Sequence, residues 1–308
     1  MDGRVTWTQS RVLITGATGF IGQRISARLI ESGAQVIGLG NVASEATVAA
    51  GVRPWVADVT DRAAMMAALA EVRPTHVLHL AAVGVTDPFV PIDYAEKVNV
   101  TGTRYTLEAS AAVGVRRLVH VGTAYEKPAI EAAPASINPY VATKLAAWRL
   151  WREFVQATGL NSVAVRLFHV YGPGQPEHGL ILAAIKAALA QSPMRMTAGE
   201  QHRDFVYIDD VVDGLMACLA ATDHCGETLD LGTGTSRSVR DAVQAIFQSI
   251  GQADTLKVEL QAYRPHEFMT LRADPEPIAH AWGWRARTSF EAGVAATIDW
   301  YRQCSSDR

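Results

Sequence analysis

The stretch Val12-Leu-Ile-Thr-Gly-Ala-Thr-Gly-Phe-Ile-Gly22 decides the fold of this 308-residue chain. Its first four residues are apolar or β-branched, which is typical of a short buried strand. Glycines then recur in it with the spacing G-x-x-G-x-x-G. The apolar spacing over residues 20–32 predicts a helix that Gly33 ends. The sequence therefore predicts a strand, a glycine turn and a helix in direct succession.

A glycine turn at this junction is suited to bind a pyrophosphate. Gly16, Gly19 and Gly22 let the backbone turn tightly, approach the phosphates and pack the helix against the strand. The N-terminus of the helix adds free N–H groups and a partial positive charge. We therefore predict a dinucleotide site here, with a turn that serves only helix packing as the alternative.

Strands and helices continue to alternate after this unit. The sequence predicts strands at 34–39, 52–57, 76–80, 117–121, 162–168 and 227–231, and helices at 63–71, 93–113, 139–158, 180–191, 240–250 and 289–303. Regular alternation of this kind predicts right-handed crossovers and a parallel sheet with helices on both faces. The predicted fold class is therefore α/β, a Rossmann-type doubly wound parallel sheet.

The regular alternation of strands and helices ends after Tyr171-Gly-Pro-Gly174. This change predicts a second, smaller part of the chain. We expect a dinucleotide-binding domain over residues 1–170, with residues 205–231 returning to it. Residues 171–204 and 232–308 are expected to form a smaller, interleaved C-terminal α/β lobe that binds the substrate.

Composition and charge exclude several classes of function. Lys and Arg number 28 against 31 Asp and Glu, a net charge of −3, so no positive field favours nucleic acid. The cysteines Cys218, Cys225 and Cys304 form no CxxC pair, so neither a metal site nor a disulfide framework is expected. Residues 1–10 lack the apolar core of a secretory signal, and no apolar run reaches the ~18 residues of a membrane span. We expect a cytoplasmic protein with no nucleic-acid, membrane or metal partner.

A second motif, Tyr140-Val-Ala-Thr-Lys144, lies near the start of a predicted helix. A separation of four residues puts Tyr140 and Lys144 on one helical face. A tyrosine with a pKa of ~10 exchanges protons poorly at neutral pH, and an adjacent ammonium, helped by a cationic nicotinamide ring, lowers that pKa. Thr123, at the end of a predicted strand, can hydrogen-bond a substrate oxygen during the transfer. The alternatives are a surface pair and a turn threonine.

The end of the second predicted strand bears on the choice of cofactor. Gly40 stands where a Rossmann-type site usually places an acid that binds the adenosine ribose hydroxyls. Without that carboxylate a 2′-phosphate is not repelled, which favours NADP(H), but no arginine follows at once to hold the phosphate. NAD(H) therefore stays open. Asp58, after the third strand, is a candidate for the adenine edge, with a helix cap as its alternative.

These features together resemble the extended short-chain dehydrogenase/reductase family, the NAD(P)-dependent nucleotide-sugar epimerases, dehydratases and reductases. Besides the glycine turn and the Tyr140/Lys144 pair, the resemblance rests on ordered motifs at 79–82, 99–103, 166–173, 203–210, 231–234, 264–265, 274, 282–284 and 299–301. It covers nearly the whole chain. It implies a nucleoside-diphosphate sugar as substrate and NADP(H) or NAD(H) as cofactor.

The resemblance also implies roles for individual residues. Tyr140 would be the general acid/base, Thr123 its hydrogen-bonding partner and Lys144 the group that holds the nicotinamide ribose. The cofactor would contact Gly16, Thr18, Gly19, Phe20, Ile21, Gly22, Asn41, Asp58, Val59, Leu80, Ala81, Ala82, Asn99, Tyr140, Lys144, Phe168 and Val170. The substrate would contact Thr86, Thr123, His169, Arg203 and Arg264, with the two arginines on its diphosphate.

Departures from the family pattern narrow the reaction. Dehydratases of this family carry an Asp-Glu pair after the threonine, where this chain has Ala124 and Tyr125. The stretch 122–126 is more similar to the Gly-Thr-x-x-Glu of reductases that act on 4-keto-6-deoxy nucleotide sugars. His169 replaces an asparagine that contacts the sugar nucleotide in most members. A histidine there could bind the substrate differently, titrate near neutrality or only fill the space.

We therefore expect hydride transfer at C4 of a nucleoside-diphosphate 4-keto-6-deoxy sugar, the reaction of a 4-ketoreductase. A 4-epimerase with tightly bound NAD is the alternative, and a non-catalytic dinucleotide-binding sensor is a third. Relatives in the family commonly pair through the helices predicted at 93–113 and 139–158. The wide apolar face of the second helix, which includes Trp148 and Trp151, favours a homodimer. Tryptophans that only cover the lobe are the alternative.

Overall fold

The computed structural model describes residues 7–41, 48–130, 137–177, 179–264 and 267–306. Its strands are β1 (Arg11–Thr15), β2 (Gln35–Gly40), β3 (Arg53–Val56), β4 (His76–His79), β5 (Arg117–Thr123), β6 (Ser162–Leu167), β7 (His169–Tyr171), β8 (Met194–Met196), β9 (His202–Arg203), β10 (Phe205–Tyr207), β11 (Thr228–Leu231), β12 (Arg237–Ser238), β13 (Val258–Leu260) and β14 (Thr270–Leu271). Its helices are α1 (Phe20–Glu31), α2 (Arg62–Val72), α3 (Ile92–Ala95), α4 (Gly102–Val113), α5 (Glu126–Ala129), α6 (Pro139–Thr158), α7 (Leu180–Leu189), α8 (Ile208–Ala220), α9 (Val239–Ile250), α10 (Glu276–Trp282) and α11 (Phe290–Ser306). A π-helical segment joins α3 to α4 over Glu96–Thr101, and 3₁₀ turns lie at Trp7–Gln9 and Ala253–Thr255.

Seven strands form a parallel central sheet in the order β11-β6-β5-β4-β1-β2-β3. The chain runs outward from β1 to β3 and then crosses back to β4, so the strand order reverses between β1 and β4. Thr15 and His79 are paired at the carboxyl ends of these two strands. Such a switch point is where doubly wound sheets bind ligands. The predicted fold class is confirmed.

The chain divides into two compact units. The first contains Met1–Arg166, Val212–Leu229 and Pro277–Trp284, and the second contains Leu167–Val211, Asp230–Glu276 and Arg285–Arg308. In the first unit, the core is built on β1, β4 and β5, whose apolar residues are almost completely buried. The second unit carries three small sheets, with strand orders β10-β7, β12-β9-β14 and β13-β8.

The helix assignment differs from the prediction at several places. The helix expected over 93–113 is divided into α3, the π-helical segment and α4. The helix α8 was not predicted, because the aromatic and β-branched run Phe205–Ile208 has the composition of a strand and passes into the helix without a turn. The short helices α5 and α10 were also absent from the prediction. Each has fewer than two full turns in which an apolar period could show.

The two tryptophans of α6 pack inside the first unit. The indole nitrogen of Trp148 donates to the Thr228 hydroxyl at 2.9 Å, and that of Trp151 donates to the Ser162 hydroxyl at 2.8 Å. Both side chains are buried. They therefore supply no exposed apolar face, and the homodimer stays a prediction.

None of the helices in the described ranges is long and apolar enough to cross a membrane. Among the same residues, no group of three or more His, Cys, Asp or Glu side chains is arranged to hold a metal ion. Cys218 is buried in α8, where its withdrawal from water raises the pKa of its thiol to about 12. This cysteine is consequently an unreactive part of the core.

Candidate active site

The turn between β1 and α1 has no room for side chains at two of its glycines. Gly16 has a φ of +75°, and a Cβ there would lie 2.9 Å from the backbone nitrogen of Ala81. A Cβ on Gly22 would lie 2.3 Å from the carbonyl oxygen of Gly16. The turn therefore packs directly against α1 and the end of β4, and only glycine fits at both positions.

The first turn of α1 presents backbone donors. Gly19, at its N-cap, has extended backbone and no side chain to bind the first N–H groups. The hydrogen bonds of the helix begin with the Gln23 nitrogen, which donates to the Gly19 carbonyl at 2.9 Å. The N–H groups of Phe20, Ile21 and Gly22 thus have no acceptor within the helix. Thr18 is exposed at the tip of the turn. These donors and the positive end of the helix fit the pyrophosphate of a dinucleotide.

The loop after β4 lies beside this turn. The Leu80 nitrogen donates to the Thr15 carbonyl at 3.1 Å. The Thr15 hydroxyl accepts from the Ala81 nitrogen at 3.2 Å and contacts Nδ1 of His79 at 2.8 Å. Ala81 and Ala82, which follow in this loop, have small side chains and are half-buried. The carboxyl end of the sheet is the place where the resemblance puts the cofactor.

Asn99 holds the next part of the loop to α6. Its amide oxygen accepts from the Val83 nitrogen at 2.9 Å, and its amide nitrogen donates to the Val83 carbonyl at 3.1 Å and to the Thr143 hydroxyl at 2.9 Å. Asn99 is buried and lies in the π-helical segment, which interrupts the predicted helix. A π-helical turn often marks a functional site. The side chain serves here as a structural bridge, and its contact with the cofactor stays a prediction.

The residues expected at the adenosine end lie at the ends of β2 and β3. Among the described residues, which omit 42–47, a Cβ on Gly40 would meet nothing within 4 Å. Asn41 is exposed. The Asp58 carboxylate accepts from the Thr60 nitrogen at 2.8 Å, which is a local turn contact. Val59 packs beneath α4, since a Cβ on Gly102 would lie 2.9 Å from one of its methyl groups.

Tyr140, Lys144 and Thr123 come together at the carboxyl end of β5. Tyr140 and Lys144 lie one turn apart near the start of α6, which Asn138 caps through the Val141 nitrogen at 2.9 Å. Tyr140 and Thr123 share a hydrogen bond between their hydroxyl groups. The ammonium of Lys144 donates to the Val121 carbonyl at 2.7 Å and is buried. The structure therefore assembles the three residues that the motifs singled out.

The pKa of Tyr140 differs from the prediction. Burial raises the pKa of this phenol, and the negative charge of Glu126 raises it further, while the hydrogen bond with Thr123 acts in the opposite direction. Burial also lowers the pKa of Lys144. The expected lowering of the pKa of Tyr140 by Lys144 is therefore not found in the protein alone, because the phenol loses more through desolvation than it gains from its neighbours.

Glu126 is part of the sequence motif at 122–126, but the motif indicates no role for it. This carboxylate is completely buried at the start of α5. One oxygen accepts from the backbone nitrogen of Thr123 at 3.0 Å, and the other accepts from the Nε of Arg166 at 3.3 Å. The signal in the sequence was the Gly-Thr-x-x-Glu spacing, which puts this side chain one turn after the threonine.

Thr86, expected at the substrate, is exposed in the segment that leads from β4 to α3. This segment packs on the first turn of α6. The Tyr140 nitrogen contacts the Pro88 carbonyl at 3.4 Å. A Cβ on Gly84, which has a φ of +90°, would lie 3.0 Å from that of Tyr140. The segment that carries Thr86 is thus held against the residue expected to transfer the proton.

In the second unit, His169 is paired with the strand that contains Phe205. Its backbone nitrogen donates to the Asp204 carbonyl at 2.9 Å, and its ring meets that of Phe205 edge-on, with 5.8 Å between their centres. Burial, with a smaller effect of Arg203, lowers the pKa of His169 to about 3. The ring is therefore neutral at neutral pH, and a titration near neutrality is overturned. The neighbours Phe168 and Val170 are buried and half-buried.

The two arginines expected at the substrate diphosphate have different surroundings. Arg203 is almost completely buried and forms an ion pair with Glu267. Its guanidinium also donates to the His202 carbonyl at 2.9 Å. Arg264 is exposed, and its carbonyl accepts from the Glu267 nitrogen at 3.2 Å. Arg203 is therefore held in place, and the Glu267 carboxylate binds the part of its guanidinium that an anionic ligand would otherwise bind.

The fold and the glycine turn define a dinucleotide-binding protein of the Rossmann type, with a tyrosine and a lysine at the carboxyl end of its sheet. The model of the NAD dependent epimerase/dehydratase family matches residues 12–232, and the chain belongs to this family. The resemblance drawn from the motifs is thereby confirmed. A nicotinamide dinucleotide is the cofactor of this family.

Individual relatives match over nearly their full length. The UDP-glucose 4-epimerase of Mycolicibacterium smegmatis is 30% identical, over 96% of this chain and 99% of its own. The structure of UDP-glucose 4-epimerase from Thermus thermophilus in complex with NAD is 30% identical, with a TM-score of 0.81 over 95% of this chain and 99% of that one. The dTDP-glucose 4,6-dehydratase DesIV from Streptomyces venezuelae, crystallised with NAD, is 25% identical, with a TM-score of 0.85 over 96% and 98% of the two chains.

Proposed function

We propose that the protein is an NAD(P)H-dependent oxidoreductase that reduces the C4 ketone of a nucleoside-diphosphate 4-keto-6-deoxy sugar. The observation that carries this proposal is the cluster of Thr123, Tyr140 and Lys144 at the end of β5. Neither Ala124 nor Tyr125, which follow the threonine, has the carboxylate that an elimination of water requires. The cluster therefore suits proton transfer next to a hydride transfer, without dehydration.

A bound nicotinamide would supply the hydride. The chain's own residues would handle the oxygen of the reacting carbonyl. The Tyr140 hydroxyl donates its proton as the alkoxide develops, and the Thr123 hydroxyl, to which it is hydrogen-bonded, orients it. The buried ammonium of Lys144 adds a positive charge beneath this site. The donors at the start of α1 would hold the pyrophosphate.

The protonation state of Tyr140 bears on the role that this residue would have. Burial raises this pKa, so the phenol is fully protonated at neutral pH. A protonated phenol is ready to donate a proton, as reduction of a ketone requires. Oxidation of an alcohol needs the phenolate instead, which is costly to form in this environment. The resting phenol can therefore act as an acid in the reductive step.

A 4-epimerase is the second candidate. It is favoured by the full-length similarity to the UDP-glucose 4-epimerase of Mycolicibacterium smegmatis. An epimerase would use Tyr140 twice, first as base and then as acid, and would keep its NAD bound between the two steps. The same residues serve both reactions, so the cofactor distinguishes them.

The experiment compares the two reactions in one preparation. First, the purified protein is denatured and the supernatant is assayed for NAD. Second, native protein is given NADPH or NADH together with UDP- or dTDP-4-keto-6-deoxyglucose. Third, native protein is given UDP-glucose alone. We expect little retained NAD and a loss of NAD(P)H absorbance that depends on the keto sugar. Retained NAD together with interconversion of UDP-glucose and UDP-galactose, without added cofactor, would replace the reductase by the epimerase.

We also propose that Arg203 binds the substrate diphosphate in competition with Glu267. Arg203→Ala should weaken UDP or dTDP binding by about 10- to 100-fold, which corresponds to a lost charged hydrogen bond. Glu267→Gln should strengthen it, because the ion partner of the guanidinium is removed. Calorimetric titration measures both. Glu259→Gln, at an exposed ion pair with Arg195, is the matched control. Tighter binding in Arg203→Ala, or weaker binding in Glu267→Gln, would contradict the assignment.

The homodimer and the use of NADPH belong to the same proposal. Ile92 and Tyr94 of α3 are exposed, and Leu150 and Phe154 of α6 are half-buried, which leaves apolar area on the helices expected to pair. Glycine at position 40, where a carboxylate would repel it, supports a cofactor with a 2′-phosphate.

A further inference from the structure

Glu126 is a buried carboxylate directly beneath the reactive residues. Its side chain has no exposure to solvent, and a Cβ on Gly122 would lie 2.5 Å from one of its oxygens. The carboxylate therefore occupies the space that the absence of a side chain on Gly122 provides. The glycine before Thr123 and the glutamate after it form one packed unit at the end of β5.

Both oxygens of this carboxylate have specific partners. The Thr123 nitrogen donates to one at 3.0 Å, and the Nε of Arg166 donates to the other at 3.3 Å. Arg166 is itself nearly buried, with its guanidinium 5.2 Å from the centre of the Trp148 ring. A buried charge is tolerated only when it is paired and hydrogen-bonded in this way. The contact fixes the backbone of the residue whose hydroxyl meets Tyr140.

The charge of Glu126 also acts on the two titratable groups above it. It raises the pKa of Tyr140, together with Tyr125, and it raises the pKa of Lys144 against the effect of burial. The pKa of Glu126 is itself raised to about 7 by burial, against the charges of Lys144 and Arg166 and the hydrogen bonds from Thr123 and Arg166. The ionisation of Glu126 is thus linked to that of Tyr140 and Lys144 and to the charge of Arg166, and all four side chains lie around the end of β5.

We propose that Glu126 is a positioning residue of this active site, which holds the backbone of Thr123 and sets the charge balance between Tyr140 and Lys144. Its role in catalysis depends on the proposed function, whereas its effect on Tyr140 does not. The negative charge of Glu126 would oppose ionisation of the phenol, in addition to the larger effect of burial. It would act through its neighbours Thr123, Tyr140 and Lys144.

The test is the ionisation of Tyr140, measured without a nucleotide sugar. Phenolate absorbance is recorded against pH with saturating NAD⁺, and the Tyr140→Phe curve is subtracted so that only this tyrosine contributes. In Glu126→Gln, which keeps the shape and an acceptor for Thr123, we expect the midpoint to fall by about one pH unit, as the loss of one nearby negative charge predicts. Glu126→Asp, which keeps the charge, should restore most of the difference.

Two further variants serve as controls, one for loss of folding and one for the loss of an unrelated negative charge. Glu126→Gln strands the buried guanidinium of Arg166 and could prevent folding, so the double variant Glu126→Gln, Arg166→Met removes both charges of the pair. It should give the same lowered midpoint. Glu153→Gln, an exposed glutamate of α6, is the matched control and should titrate like wild type. The proposal would be overturned if the midpoint were unchanged in both Glu126→Gln and the double variant, with both proteins folded. It would also be overturned if the midpoint fell equally in Glu153→Gln.

Activity gives a second readout where the keto sugar is turned over. Because Tyr140 must be protonated to donate, the alkaline limb of the kcat profile should move to lower pH in Glu126→Gln, in parallel with the titration. A purely structural glutamate would change the size of kcat and leave the limb in place. If wild type reduces no keto sugar, the proposed function fails, and the phenolate titration still decides the role of Glu126.

Discussion

Tyr140→Phe is expected to lower kcat for the keto sugar by about 10²- to 10⁴-fold, the range for loss of a positioned general acid. The substitution removes the hydroxyl that shares a hydrogen bond with Thr123 and keeps the ring. The binding of NADPH and of the nucleotide sugar should stay within a few-fold of wild type, since neither depends on the proton. Single-turnover absorbance measurements at saturating cofactor and substrate report the chemical step.

Tyr171→Phe is the matched control for this prediction. Tyr171 is a buried tyrosine whose hydroxyl donates to the Phe290 carbonyl at 3.1 Å within the second unit. Its loss should cost about 1 kcal/mol of unfolding free energy, the usual value of one hydrogen bond, and leave kcat near wild type. Turnover unchanged in Tyr140→Phe would remove the proposed mechanism and revive the non-catalytic sensor.

The parts of the fold and site that the sequence predicts are those encoded by local patterns. Gly16 and Gly22 mark the turn because a side chain at either position would collide with backbone. Tyr140 and Lys144 are found by their spacing, since four residues on a helix always share a face. The alternation of strands and helices predicts the parallel sheet for the same reason.

The parts that could not be predicted depend on contacts between distant segments. Glu126 acquires its surroundings from Arg166, which is 40 residues further along the chain. The break in the helix at Asn99 goes with the hydrogen bonds of its amide to Val83 and Thr143, and no propensity at Asn99 itself indicates them. The pKa of Tyr140 is dominated by burial, which a spacing of residues does not reveal.

Gly22→Ala is expected to weaken dinucleotide binding by about 10- to 100-fold and to lower the thermal midpoint. The added methyl would lie 2.3 Å from the Gly16 carbonyl and 2.8 Å from the Cα of Ala17, so the backbone of the turn must move away from α1. Overpacking of this kind costs about 1–3 kcal/mol. Because the displaced atoms are those expected to face the pyrophosphate, much of that cost should appear as lost affinity.

Gly179→Ala makes the same change at the N-cap of a different helix, α7, whereas Gly22 is the third residue of α1. There the new methyl would lie 3.6 Å from the nearest atom, the Pro176 carbonyl oxygen, which is an ordinary contact. Titration of each protein with NADH and NADPH, followed by nicotinamide fluorescence, gives the affinities, and thermal unfolding gives the stabilities. The control should bind the dinucleotide like wild type and lose only about 1 kcal/mol of stability, because alanine is a poorer N-cap than glycine. Suppose that Gly22→Ala folds and binds the dinucleotide as tightly as the control does. Cofactor binding would then not depend on the close packing of this turn, and the proposed binding site of the pyrophosphate would be wrong.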